Sequence, residues 1–277
     1  MTTIKLPREE EASGRLRELY NAITRREEQV FGTRRVSNIW LAMAHAPEYL
    51  EANWNRSRVT MQRGQLSILD KEVVAAGVAL AIPSRYEIDA HLAAVMRMGL
   101  SEAGVTELLS VVEHTFGLAS VGRALLVESD LAREILPEVA GLVVLPTGDE
   151  LDAETRATLD EIRARERELT GVDRVPNLWR AMSLQGAYLR ATWAKHKIVM
   201  AEGELSVRQK QTLALAVAMS AGSRYWIERL TRTLLRAGQK QADIVEIASI
   251  VDHVSCLSRV ADGLQIASDI KPPVGTP

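Results

Sequence analysis

Cysteine is almost absent from this chain of 277 residues, where Cys256 stands alone. A single thiol cannot close an intramolecular disulfide, and with no C-x-x-C pair neither dithiol redox chemistry nor a thiolate metal site has its ligands. Cys256 itself reads as a small buried apolar side chain. An excess of one charge sign is also lacking: 34 Lys and Arg face 36 Asp and Glu, a formal net charge of −2. That balance gives no sign of nucleic acid or an anionic membrane as partner. Long apolar runs are missing. The longest, Val73 to Pro83, falls well short of the roughly 20 residues a membrane helix needs and reads as a buried core helix. The first residues, MTTIKLPREEE, lack the apolar segment of a signal peptide, so a cytoplasmic location is the expectation. Strand signals are scarce, because Ala, Leu, Glu and Arg dominate and no stretch alternates Val, Ile and Thr.

What is present is an ordinary globular composition, 47% hydrophobic and 25% charged, and an internal repeat. Arg35-Val36-Ser37-Asn38-Ile39-Trp40 recurs as Arg174-Val175-Pro176-Asn177-Leu178-Trp179. The same register carries Tyr49 to Tyr188, Trp54 to Trp193, Ser84-Arg85-Tyr86 to Ser223-Arg224-Tyr225, and His114 to His253. No insertion or deletion interrupts it, which gene duplication explains and chance does not. The Pro/Gly break at Leu145-Pro146-Thr147-Gly148 divides the chain into a first repeat, 1–145, and a second, 146–277.

Each repeat reads as a helical bundle. In the first, Glu9 to Val30 is a charged amphipathic helix with Leu16, Leu19, Tyr20 and Ile23 on one side. Asn38 to Met43 and Pro47 to Gln62 give two more. Ser67 caps a helix running from Ile68 towards Ile82, Pro83 breaks it, and Ser84 opens another that ends near Gly99. Ser101 caps the last, from Glu102 to about Val127. The fold class is all-α: two tandem helical bundles in one chain. The paired tryptophans Trp40, Trp54, Trp179 and Trp193 read as core.

Chemistry concentrates between Glu72 and His91. Glu87 and His91 lie four residues apart and share a helix face. Glu72 opens an apolar stretch, where an unpaired carboxylate is costly, so Arg85 or His91 is expected to partner it. Carboxylate beside imidazole is equipment for moving protons, and Arg85 could hold a substrate carboxylate. Bland readings stand beside these. Ser84-x-x-Glu87 fits a capping box, and a helix N-terminus favours a carboxylate anion and so weakens it as a base. Glu72, Glu87, His91 and His114 also offer ligands that could hold zinc, iron or manganese. At the matched positions the second repeat has Gln211, Trp226 and Leu230, so it reads as a degenerate, structural copy and the first as the active one. His114 and His253, kept in both, read as scaffold, with His114 at the pocket edge.

Glu72, Ser84, Glu87 and His91, with the run Tyr86-x-Ile88-Asp89-Ala90-His91 and the closing texts Glu113-His114-Thr115-Phe116 and Asp252-His253-Val254-Ser255, resemble the alkylhydroperoxidase-D-like / carboxymuconolactone decarboxylase family. The resemblance covers about one hundred residues of each repeat. Ser84 and Glu87 stand where the family's two redox cysteines would be. Without them peroxide reduction through a thiolate has no nucleophile. The family's other branch performs cofactor-free chemistry on a carboxylated lactone, which implies a lyase- or isomerase-type enzyme acting on a small organic acid or lactone. The roles expected are Glu72 as base, His91 as acid or orienter, Glu87 beside them, Arg85 as anion clamp, Tyr86 as hydrogen-bond donor, and Ser84 and His114 lining the substrate site, with no cofactor. Two other readings remain open: an inactive ligand- or partner-binding protein, and a Glu/His metal-dependent enzyme. The resemblance also implies a homo-oligomer, a trimer ahead of a dimer.

Overall fold

The computed structural model describes residues 2–131 and 139–273. Most of it is helix, as the sequence pattern requires. The first repeat supplies α1 (Gly14–Phe31), α2 (Asn38–Met43), α3 (Pro47–Gln62), α4 (Ile68–Ala81), α5 (Arg85–Arg97) and α6 (Glu102–Ala124). A two-stranded antiparallel hairpin, β1 (Val139–Ala140) and β2 (Val143–Val144), follows. The second repeat supplies α7 (Ala153–Thr170), α8 (Asn177–Met182), α9 (Gly186–Val199), α10 (Val207–Ser220), α11 (Arg224–Arg236) and α12 (Gln241–Gly263). No helix among the described residues is long and apolar enough to cross a membrane.

The chain forms two compact units that do not follow the repeat boundary near 145. One comprises residues 1–106 and 245–277, the other residues 107–244. Most of α12 therefore lies in the first unit and most of α6 in the second. Residues of α12 and its tail complete the first unit's core: Leu257, Ala261 and Ile266 pack with Leu19, Tyr20 and Trp40.

Local signals set the helix limits. α1 buries Leu19, Tyr20, Ile23, Glu27 and Val30 along one stripe and stops at Gly32. Gly32 has φ +71°, the left-handed conformation that favours glycine at a helix end. The Ser67 hydroxyl caps α4 by accepting from Asp70 N–H. α4 is apolar nearly all round, and every residue from Lys71 to Ala79 is buried. Lys71, at its start, sends its ammonium to the Thr60 carbonyl (2.5 Å) and to Glu246 (2.6 Å). In the second unit Lys210 and Glu107 make the matching pair at 3.2 Å.

Two expectations are corrected here. Cys256 is exposed rather than buried. α12 buries its face through Val254, Leu257, Ser258 and Ala261, which turns Cys256 and its neighbour one turn back, Asp252, to the other side. The capping box at Ser84 does not form: the Ser84 hydroxyl donates to Asp262 Oδ1 at 3.0 Å and caps nothing. Glu87 is thereby left to other partners.

Candidate functional site

α4 and α5 pack against each other in the first unit, and this brings Glu72, Glu87 and His91 together. His91 lies between the two carboxylates: Nδ1 is 2.7 Å from Glu72 Oε2, and Nε2 is 3.2 Å from Glu87 Oε2. All three are buried. The second oxygen of Glu72 accepts from the Arg26 guanidinium at 3.3 Å. Two cations and two carboxylates thus form a chain with no net formal charge, which is the condition under which such groups can leave water.

The electrostatics follow from that chain. Burial opposes a charged imidazole, but the hydrogen bonds to Glu72 and Glu87 outweigh it and raise His91 to a pKa of about 10. His91 is therefore an imidazolium at neutral pH. Burial lowers the Arg26 pKa, and the charge of Glu72 partly offsets this. Glu27 also reaches this region. Burial pushes its pKa up to about 8, against hydrogen bonds from Ser37, and the nearby Asp269 adds to the rise. His253 is held neutral by burial and then by the Arg56 and His91 cations, with a pKa near 3.

A cavity of about 70 Å³ adjoins these groups, lined by Arg26, Glu72, Tyr86, Glu87, His91 and His253. A T-shaped pair, Trp40 and Trp54, with ring centroids 5.6 Å apart, forms part of its wall.

The other expected residues fall elsewhere. Arg85, proposed as the anion clamp, has a side chain 77% exposed and is paired with Asp89 one turn on. It sits at the solvent end of α5, and Arg26 from α1 occupies the place given to it. Tyr86 lines the cavity, but its hydroxyl is committed: it donates to Asp269 Oδ1 (3.0 Å) and accepts from Ile39 N–H (3.3 Å). Ser84 lies outside the lining and is bonded to Asp262. His114 belongs to the second unit, where its Nε2 meets His196 Nδ1 at 3.0 Å. The histidine that joins the first cavity is instead His253. Arg26, Glu27 and His253 were not singled out in the sequence as site residues. Only the repeat register, which makes His253 the partner of His114, pointed towards one of them.

Among the described residues no group of three or more His, Cys, Asp or Glu side chains is arranged to hold a metal ion. The geometry explains why. Both His91 nitrogens are taken by carboxylates, so neither is directed at an open coordination position.

An all-α chain built from a duplicated bundle, with a buried carboxylate–imidazolium–carboxylate chain in one copy, defines the class. The family comparison places it more narrowly: the profile of the carboxymuconolactone decarboxylase family matches residues 47–127 and again 186–269, and the chain belongs to that family. Among solved structures it is similar to a protein of Burkholderia xenovorans LB400 described as a putative gamma-carboxymuconolactone decarboxylase subunit. The two share 16% identity with a TM-score of 0.63, over 89% of this chain and 94% of that one. At that identity the likeness is one of fold. No curated protein matches.

Proposed function

We propose that the first unit is a thiol-independent, cofactor-free enzyme that moves protons on a small organic acid or lactone, in a decarboxylation, isomerisation or related lyase-type reaction. The observation that carries this reading is the Glu72–His91–Glu87 chain beside a cavity. The protein retains three buried ionisable groups there, while the second copy has Gln211, Trp226 and Leu230 at the matching positions. Family membership and the decarboxylase name of the structural neighbour support the same reaction class.

The roles are refined by the geometry. Glu87 has a single hydrogen-bonded contact to His91 and is the freer carboxylate, the one to exchange a proton with substrate. Glu72, held by His91 and Arg26, orients the imidazolium. His91 and Arg26 supply the positive charge that a carboxylate or an enolate forming in the reaction requires. The cavity is small, so substrate enters its reacting end first and displaces Phe31 at the wall, while Arg26 stays on Glu72. The enzyme acts as a homo-oligomer, a trimer ahead of a dimer.

The test is turnover of γ-carboxymuconolactone and of a panel of small lactones and carboxylic acids, followed by loss of substrate absorbance. Wild type should turn over at least one. Glu87→Gln and His91→Gln should each slow it by about 10²–10⁴-fold, the usual contribution of a positioned acid or base, while retaining helical circular dichroism. Folded variants with undiminished turnover would refute the assignment, as would a wild type inert on the whole panel.

A further inference from the structure

A second cavity, wider than the first, lies in the other unit. It measures about 590 Å³ and is walled by Trp179, Trp193, Trp226, Leu230, Met200 and His196. That size is ordinary for a site holding a small organic molecule, and aromatic and apolar side chains share its wall with charged ones.

Its cations are already taken. Lys197 pairs with Glu161 at 2.7 Å and Arg165 with Glu168 at 2.9 Å. Arg229 is bonded by both Asp130 and Glu166. A ligand carboxylate entering here would find no unpaired positive charge and would face those carboxylates, so the cavity selects against anions.

Two polar groups of this wall, on His196 and Trp226, are open to a ligand. His196 stacks on Trp193, with centroids 5.1 Å apart and planes at 14°, and its Nδ1 is engaged with His114. Among the described residues its Nε2 has no partner, and the residue lines the cavity. Burial keeps both rings neutral, His196 near pKa 3 and His114 near 4, with neighbouring cations assisting. A neutral pair shares one proton between Nε2 of His114 and Nδ1 of His196. His196 Nε2 is then a donor in one tautomer and an acceptor in the other. A hydroxyl, which both donates and accepts, satisfies either. In the same wall the Trp226 indole N–H is buried and has no acceptor. The first repeat has Ser57 where the second has His196, so this constellation is particular to the copy that lacks the Glu72–His91–Glu87 chain.

We infer that the second unit is a binding site for an uncharged, flat, hydroxyl-bearing ring compound, held between tryptophans with its hydroxyl on His196 Nε2. The site is independent of the chemistry proposed for the first unit and does not rest on it.

The experiment is calorimetric titration of the full chain with three probes of one ring size: 2-naphthol, 2-naphthoate and naphthalene. The expected result is one 2-naphthol per chain, bound at least tenfold tighter than 2-naphthoate. His196→Phe keeps the stacking but removes the ring nitrogens. It should weaken 2-naphthol about five- to tenfold, the worth of one hydrogen bond, and leave naphthalene within twofold. It should also leave first-unit turnover unchanged. The inference is overturned if 2-naphthol fails to bind at millimolar concentration, if 2-naphthoate binds as tightly, or if His196→Phe binds 2-naphthol like wild type. Should that variant not fold, Leu230→Phe adds bulk to the same wall and should weaken all three probes. Unaltered binding of all three then overturns the assignment of the cavity.

Discussion

Raising the pH should destabilise this protein through His91, and the effect can be sized. An unfolded histidine titrates near 6.5, whereas His91 in its carboxylate clamp titrates at about 10. Below 6.5 both states hold the proton and the clamp contributes in full. Between 6.5 and 10 the unfolded chain gives up its proton while the folded protein keeps it, so stability falls as pH rises. At somewhat over 1 kcal/mol per pH unit the loss from pH 7 to pH 9 is on the order of 2–3 kcal/mol. Glu27 acts in the same direction, since its pKa is also raised, to about 8, but that contribution is lost mainly below pH 8. Burial lowers the pKa of His114, His196 and His253, and these act only as pH falls through 6.5. The comparison that isolates His91 is the triple variant Glu72→Gln, Glu87→Trp, His91→Leu, which installs the side chains the second copy carries at these positions. Urea unfolding of both proteins at pH 7, 8 and 9 should give curves that diverge, wild type losing on the order of 2–3 kcal/mol more than the variant. Parallel pH profiles would show that His91 is not held as an imidazolium, and the electrostatic account of the site would fail with it.

Two further outcomes follow from buried and exposed groups outside the cavity. Lys71→Met strands Glu246 beside the backbone amides of Gln65 and Leu66 that it accepts from. It should cost about 3–5 kcal/mol in urea unfolding, with the double variant Lys71→Met, Glu246→Gln recovering much of the loss. A neutral single variant would contradict the burial of that pair. Cys256, exposed on α12, should react with a thiol reagent in the native protein within minutes, and Cys256→Ser should leave turnover and stability within experimental error. A thiol that reacts only on unfolding would overturn its placement.

The helices were legible because their punctuation is local. Ser67 caps α4, Gly32 ends α1 and Pro83 separates α4 from α5, each decided by residues within a turn of the boundary. The Glu87–His91 pair was legible for the same reason, being one turn apart on a single helix. What could not be read was which side chain comes from another helix. Arg26 is one of several arginines on a charged helix, and nothing in its neighbours marks it as the one that reaches Glu72. Arg85 looked better placed, because it is close in sequence to Glu87. A residue two before Glu87 on the same helix points about 200° away from it, however, and that direction is solvent. Ser84 and Glu87 have the spacing of a capping box, but Asp262 competes for the hydroxyl and His91 for the carboxylate, and both competitors win.

The repeat register explains why the exchange of terminal helices was invisible in the sequence. Lys71 pairs with Glu246, and Lys210 with Glu107. Tyr86 is held by Asp269, while Asp130 accepts from Asn177 N–H as Asp269 does from Asn38 N–H. Each partner has a counterpart 139 positions away with the same side chain. A chain in which Lys71 paired with Glu107 would satisfy the same hydrogen bonds, so pairing chemistry cannot distinguish the two connectivities; only the folded chain does. The consequence is testable by cutting at the sequence boundary. A fragment of residues 1–145 lacks Glu246, Leu257, Ala261 and Asp269, and with them the partner of Lys71, part of the core and the anchor of Tyr86. Its own residues 107–130 carry the equivalent groups, and if the connectivity is that of the intact protein they complete a second copy rather than their own. The fragment should therefore associate, with a sedimentation mass that rises with concentration, and dilution should unfold it. A fragment that stays monomeric and fully helical at every concentration would mean that the last helix of each repeat folds back on its own bundle, and the exchanged assignment of His253 to the first cavity would have to be withdrawn.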